Sequence, residues 1–439
     1  MFTVEDASGF TGQADEILSP RTAEEAAAIL TRANRERVPV TISGAGTGVT
    51  GGRVPSRGIL LSLDRFKRLD IEKGRAFAGV GVSLNDLQTA CLPTRQFYAP
   101  DPTEWTASVG GSIATNASGS RSFRYGSTRK HVLSLTVALM DGSVRTFRRC
   151  EAVDFDVPAL PIPNTTKCTA GYPLGPGMDW VDLFIGSEGT LGVVLEAELQ
   201  LIPAPQDVLS GVVFFGTDAE ALDAVDQWRS IPGLRMLEYF DQRSLNLLRT
   251  KYSEVPSRAG AALLVEDEGA DVDAWLDRIP EDDSWFALSD QDRERFRRFR
   301  HALPEMVNET MRRRGFLKLG SDFAVPLDRN REMLAFYHQQ LVDMDYVIFG
   351  HIGDAHVHVN ILPESADQFE RGKDLMTVFA CRAVELGGTV SAEHGLGKRK
   401  AAFLSIQYTP AEIQAMKDVK RRLDPNWLLG QGNLFPTNR

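Results

Sequence analysis

The chain has 439 residues, 43% of them hydrophobic and 25% charged, a globular balance with enough material for two or more domains. Its net charge of −10 argues against a nucleic-acid or anionic-membrane surface. Four widely spaced cysteines form no CxxC pair, which excludes a readable disulfide framework or iron–sulfur motif. The N-terminus lacks a basic-then-apolar leader, and no apolar run approaches the roughly 20 residues of a membrane span. A soluble protein of a reducing, cytoplasmic compartment is therefore expected.

In chain order, Thr22 to Asn34 has helical apolar spacing with acids in its first turn. Val38 to Ile42 reads as a strand and runs into Ser43-Gly-Ala-Gly-Thr-Gly48, the first glycine-rich loop. The loop contains G-x-G-x-x-G at Gly46, Gly48 and Gly51, but Arg53-Val-Pro55 and a strand at Ile59 to Leu63 follow. A dinucleotide fingerprint must open a helix, so that reading fails. What remains is a loop of backbone N–H groups able to nest an anion. A second small-residue run extends from Pro100-Asp-Pro102 through Ser108-Val-Gly110-Gly111-Ser112 to Asn116 and Gly119, with Gly126 beyond. Leu133 to Met140 is a strand closed by the turn Asp141-Gly142, and Glu151 to Gly177 reads as a loop. The third glycine segment, Gly186-Ser-Glu188-Gly189 to Gly192, precedes a strand over Val193 to Ile202. Glycine lets a ligand approach the backbone closely, and three such loops suggest one long ligand lying across them.

A domain boundary is placed at Pro203-Ala-Pro205. Beyond it, Ala219 to Ser230 and Arg329 to Met344 read as helices, and Phe316 to Val325 and Tyr346 to Leu362 as extended. Lys373 to Leu386 and Pro410 to Leu423 are the last helices, and no internal repeat is present. Val357, Val359 and Ile361 alternate with His356, His358 and Asn360, a strand with one polar face. With Asp354-Ala355 as the loop, His351 lies opposite His358, close enough for two imidazoles to share a metal. Glu393, in Ser-Ala-Glu393-His394-Gly, can supply the carboxylate. Four of the seven histidines fall in these two segments.

The loops together resemble the FAD-binding domain of the vanillyl-alcohol oxidase and p-cresol methylhydroxylase type of flavoproteins. The histidine segments resemble the branch holding D-lactate dehydrogenase, D-2-hydroxyglutarate dehydrogenase and the glycolate oxidase flavin subunit. The resemblance covers nearly the whole chain. It implies an α+β fold: a two-subdomain FAD-binding domain over 1–204, a substrate cap with an antiparallel sheet over 205–424, and a tail over 425–439 returning to the first domain. It places Ser43, Gly44, Ala45, Gly46, Thr47 and Gly48 on the pyrophosphate. Pro100, Gly110, Gly111, Ser112, Asn116, Gly119 and Gly126 would line the rest of the FAD, with Glu188, Gly192 and Val193 toward its far end. No histidine precedes His131, so a non-covalent flavin is expected.

The resemblance also implies His351, His358 and Glu393 as metal ligands, with Zn²⁺ expected and Mn²⁺ the alternative. Arg300 and Lys318 would hold a substrate carboxylate, and His394 would accept the proton. Two departures stand out: Ala355-His356 replaces the usual Gly-Asn, and Cys168 follows Lys167 where relatives often carry a polar residue. The function implied is oxidation of a D-2-hydroxy acid to the 2-oxo acid, with hydride passing to FAD N5. The electron acceptor would be an electron-transfer flavoprotein, a quinone or an iron–sulfur subunit. The alternatives are a flavin subunit of a larger complex, a non-redox transferase on the same fold, or a flavin binder without catalysis.

Overall fold

The computed structural model describes residues 1–270, 272–279, 284–287 and 289–436. Its architecture is α+β. Helix Ala23–Glu36 starts where the Thr22 side chain caps Glu25 N and stops at Arg37, which adopts the left-handed conformation. Its buried face, Ala26, Leu30 and Ala33, covers a parallel sheet ordered Glu16–Leu18, Ile59–Ser62, Val40–Ser43. An antiparallel five-stranded sheet follows, built around Val132–Ala138 and Val193–Gln200. The turn at Asp141-Gly142 leads into a further strand, Val144–Arg148, which short polar spacing had hidden in the sequence. Residues 153–177 carry neither helix nor strand.

The second half is organised by a seven-stranded antiparallel sheet. Every residue of Val208–Phe215 and Leu234–Asp241 is buried. Alternate side chains enter two different cores. Val212, Phe214, Met236 and Phe240 pack with helices Gln242–Arg249 and Asp290–Arg314, whereas Leu209, Val213, Leu237 and Tyr239 join the main core. A sheet covered on both faces buries whole strands, and Val208–Phe215 is accordingly almost entirely apolar, although Leu234–Asp241 also buries Arg235, Glu238 and Asp241. The chain end returns to the first sheet: Val40 N donates to Leu428 O at 2.8 Å and Gly430 N to Val40 O at 2.9 Å.

Three expectations need correction. The extended stretch 316–325 contributes only the short strand Leu319–Gly320, because its remaining polar groups turn inward to the site. The helix expected from Lys373 starts at Ala366, capped by Ser365. The hairpin register is also shifted by two residues: His351 pairs with His356, and Phe349 rather than His351 faces His358. The loop is not a tight two-residue turn but a 3-10 turn over Ile352–Asp354, closed by Ala355 at φ 50°. A shift of two preserves which face each side chain occupies, so the histidines still converge.

Candidate active site

Strand Val40–Ser43 delivers the first glycine loop to the mouth of a cavity of about 360 Å³. Gly46 sits at φ +87°, a conformation that favours glycine, and a Cβ there would meet the flexible end of the Arg53 side chain at 1.9 Å. Asp6 pins the far end by accepting from Gly51 N at 2.6 Å. The N–H groups of Ala45, Gly46, Thr47 and Gly48 find no acceptor among the described residues. Ser108 caps the short helix Val109–Ala114, and its hydroxyl approaches Gly44 so closely that a Cβ there would lie 2.5 Å away. Ser112 Oγ is buried without a hydrogen-bond partner and lies on the cavity wall. Free N–H donors, an orphaned hydroxyl and the Arg53 cation suit a diphosphate-bearing cofactor.

The wall includes Gly44 to Gly48, Gly110, Gly111, Ser112, Glu188 and Gly192. Ser43, Pro100, Asn116, Gly119, Gly126 and Val193 are not on it. Several of these shape the loops instead. Asn116, at φ 49°, accepts from Arg129 N, and Gly119 lies against the Asp101 carbonyl. Val193 points into the core while Val194 faces the cavity, as strand alternation requires.

His358, Glu393 and His394 line the same cavity. One ligand atom each from His351, His356, His358 and Glu393 lies within 4.8 Å of the others. His351 Nδ1 donates to Glu238 Oε1 at 2.5 Å, which leaves Nε2 3.3 Å from Glu393 Oε2. His358 Nδ1 is held by the Ser321 carbonyl at 3.1 Å. Imidazoles anchored from behind in this way are oriented for a metal. Burial disfavours charge on His351, but Glu238 and Glu393 raise its pKa above the ordinary value. Burial, then His356 and His351, push His358 well below it. The cluster fits a divalent cation.

His394 is stacked on His358, with ring centroids 5.7 Å apart. Burial lowers its pKa, more than Asp322 raises it, so the ring is held in the neutral form that a proton acceptor needs. Asp322 organises this corner: it accepts from Ser391 Oγ, Glu393 N and His394 N at 2.8, 3.1 and 3.0 Å.

Arg300 and Lys318 stand outside the cavity wall. Arg300 Nε pairs with Glu238 at 2.9 Å and Nη1 donates to Thr103, itself on the wall. Lys318 is solvent-accessible yet flanked by protein, and this flanking, followed by Lys400, lowers its pKa to about 8.

Several residues here escaped the sequence reading. Lys167 Nζ, fully buried, bridges Glu393 Oε1 at 2.6 Å, Asp354 Oδ2 at 3.0 Å and the Gly119 carbonyl at 2.9 Å. A lone lysine in a loop gives no signal in sequence. Glu238 does leave one: with Arg235 and Asp241 it is one of three charges in a strand that is buried throughout. Removing one partner of a buried ion pair costs about 3–5 kcal/mol. Lys167→Met is therefore expected to lower the melting temperature of metal-stripped protein sharply. Added Zn²⁺ should recover part of the loss, because it would neutralise Glu393. A melting curve unchanged by the substitution would show that the bridge contributes nothing.

Glu188 accepts from Leu396 N at 2.8 Å and Gly397 N at 2.6 Å, tying the third glycine segment to the loop that follows His394. Burial pushes its pKa up to about 7 from 4.5. The folded protein thus holds this proton more tightly than the unfolded chain does. Its contribution is fully present below pH 4.5 and is lost as pH rises to 7. Wild type should lose stability relative to Glu188→Gln over that window, by up to about 3 kcal/mol. Urea unfolding at pH 5 and pH 7 checks it; parallel profiles would reject it.

Comparison with known proteins places this geometry in a family. Residues 204–434 match the C-terminal domain of FAD-linked oxidases, and residues 14–148 match an FAD-binding domain. The chain is 30% identical to the glycolate oxidase subunit GlcD of Bacillus subtilis, over 96% of this chain and 89% of that protein. It is also 30% identical to a D-lactate dehydrogenase of Archaeoglobus fulgidus, over 95% and 90%. A D-2-hydroxyglutarate dehydrogenase of Xanthomonas citri pv. viticola matches at 30% over 96% and 89%. Among solved structures, an alkyldihydroxyacetonephosphate synthase superposes with a TM-score of 0.69 at 16% identity, covering 96% of this chain and 76% of that one, which shows a shared fold. The chain belongs to the FAD-linked oxidases and is an FAD-linked oxidoreductase with a p-cresol methylhydroxylase-type flavin fold. Among the described residues, no helix is long and apolar enough to cross a membrane.

Proposed function

We propose that this protein oxidises a D-2-hydroxy acid to the 2-oxo acid. One observation carries the reading: the three glycine-rich loops and the His358, Glu393 and His394 side chains line a single cavity. The relatives' names, D-lactate and D-2-hydroxyglutarate dehydrogenase and glycolate oxidase subunit, support that substrate class. In this division of labour residues 1–204 hold FAD non-covalently, 205–424 bind substrate and metal, and 425–436 close on the first domain.

Bound in the cavity, FAD supplies the two-electron acceptor. His351, His358 and Glu393 would hold a divalent cation, Zn²⁺ by ligand type, which would supply a Lewis acid there. The chain does the rest. Arg300, whose Nη1 donates to Thr103 on the cavity wall, and Lys318 would hold the substrate carboxylate. His394, neutral and beside the substrate, accepts the hydroxyl proton, and Asp322 steadies its backbone and ring.

Anaerobic bleaching of the flavin absorbance across a panel of D- and L-2-hydroxy acids tests this reading. Reduction by at least one D-2-hydroxy acid, and not by its L-enantiomer, is expected. No reduction by any panel member would overturn the proposal. The subunit status of the Bacillus relative favours a second reading, in which electrons pass to a partner subunit. Isolation of an iron–sulfur protein with this chain would support it.

A further inference from the structure

His356 has no role in the reading above, yet it is the most deeply buried side chain in the cluster. It is wholly buried, and neither ring nitrogen has a hydrogen-bond partner among the described residues. Its Nε2 lies 3.3 Å from Asp322 Oδ1, but outside hydrogen-bond geometry. That carboxylate is already engaged by Ser391 Oγ and by the N–H groups of Glu393 and His394. A buried imidazole with no partner costs about 1–3 kcal/mol. Something must compensate, and the ring lies 4.5 Å, centroid to centroid, from His358 and 5.4 Å from His351. Its ligand atom falls within the same 4.8 Å sphere as theirs and that of Glu393. The backbone explains the convergence. His356 directly opposes His351 in the hairpin and precedes His358 by two, so all three project from one face.

We propose that His356 is a fourth protein ligand, so that the metal is held by three imidazoles and one carboxylate and substrate would enter as a fifth ligand. This rests on the metal reading above and deepens it. Glu238 and the Ser321 carbonyl each hold one ring nitrogen of His351 and His358, whereas Asp322 Oδ1 lies 3.3 Å from His356 Nε2 outside hydrogen-bond geometry, so a metal is what would satisfy this ring. A set richer in nitrogen than in oxygen favours Zn²⁺ over Mg²⁺ or Ca²⁺. It also gives the Ala355-His356 departure a physical meaning, because an imidazole is a much stronger ligand than the amide it replaces.

The test uses FAD-loaded protein stripped with a chelator and reloaded with Zn²⁺ alone. X-ray absorption at the zinc edge should count three imidazoles in wild type and two in His356→Asn. Zn²⁺ affinity, measured by chelator competition, should fall at least about tenfold in that variant. His356→Gln serves if the asparagine variant does not fold. Two imidazoles in wild type, with unchanged affinity in the variant, would overturn the fourth ligand and leave the metal site standing. Zinc that fails to bind, or that binds equally well after His358→Ala, would remove the metal site itself and this inference with it.

Discussion

His358→Ala is expected to empty the metal site and to lower kcat/KM by at least about three orders of magnitude, because a Lewis acid contributes several kcal/mol to such a reaction. The side chain is fixed by the Ser321 carbonyl and sits at the centre of the cluster, within ring contact of His351, His356 and His394. The glycine loops proposed to cradle FAD come from the first 200 residues, so the flavin spectrum should survive almost intact. Metal content per chain, the visible spectrum and turnover are read on the same preparation. Unchanged metal content would reject His358 as a ligand, and loss of the flavin would show that the cavity halves are not separable.

Arg300→Ala should have the second-largest effect, for two reasons that can be told apart. A charge-assisted contact to a carboxylate is worth roughly 1.5–3 kcal/mol, about one to two orders of magnitude in kcat/KM. The structure adds a second consequence. Arg300 neutralises Glu238, which orients His351, so its removal leaves a buried carboxylate paired only with a proposed metal ligand. Metal affinity is then expected to drop by about 10–100-fold. With saturating Zn²⁺ the orientation defect should be masked and the carboxylate defect should persist. If excess Zn²⁺ restores full activity, Arg300 only positions Glu238. Arg297, paired with Glu294 on its own helix, is the control and should change little.

Much of the site was legible because its chemistry is concentrated in short segments. The polar alternation of His356, His358 and Asn360 fixed a common face. That face survived a wrong turn assignment, because the register error was two residues rather than one. The glycine loops were readable as ligand-approaching backbone, but not which of their residues face the cavity. Asn116, Gly119 and Gly126 proved to shape the chain around it.

Residue type and local spacing by themselves located the glycine-rich loops, the shared face of the strand histidines and the helix starts at Thr22 and Pro410, because those properties depend on near neighbours along the chain, whereas the α+β class and the flavin came from the family resemblance. Only the tertiary structure decided which charges neutralise one another across it. Glu238 lies 113 residues before its partner His351, and Lys167 lies 226 before Glu393. A buried charge requires a partner, but nothing in the sequence says from how far along the chain that partner will come.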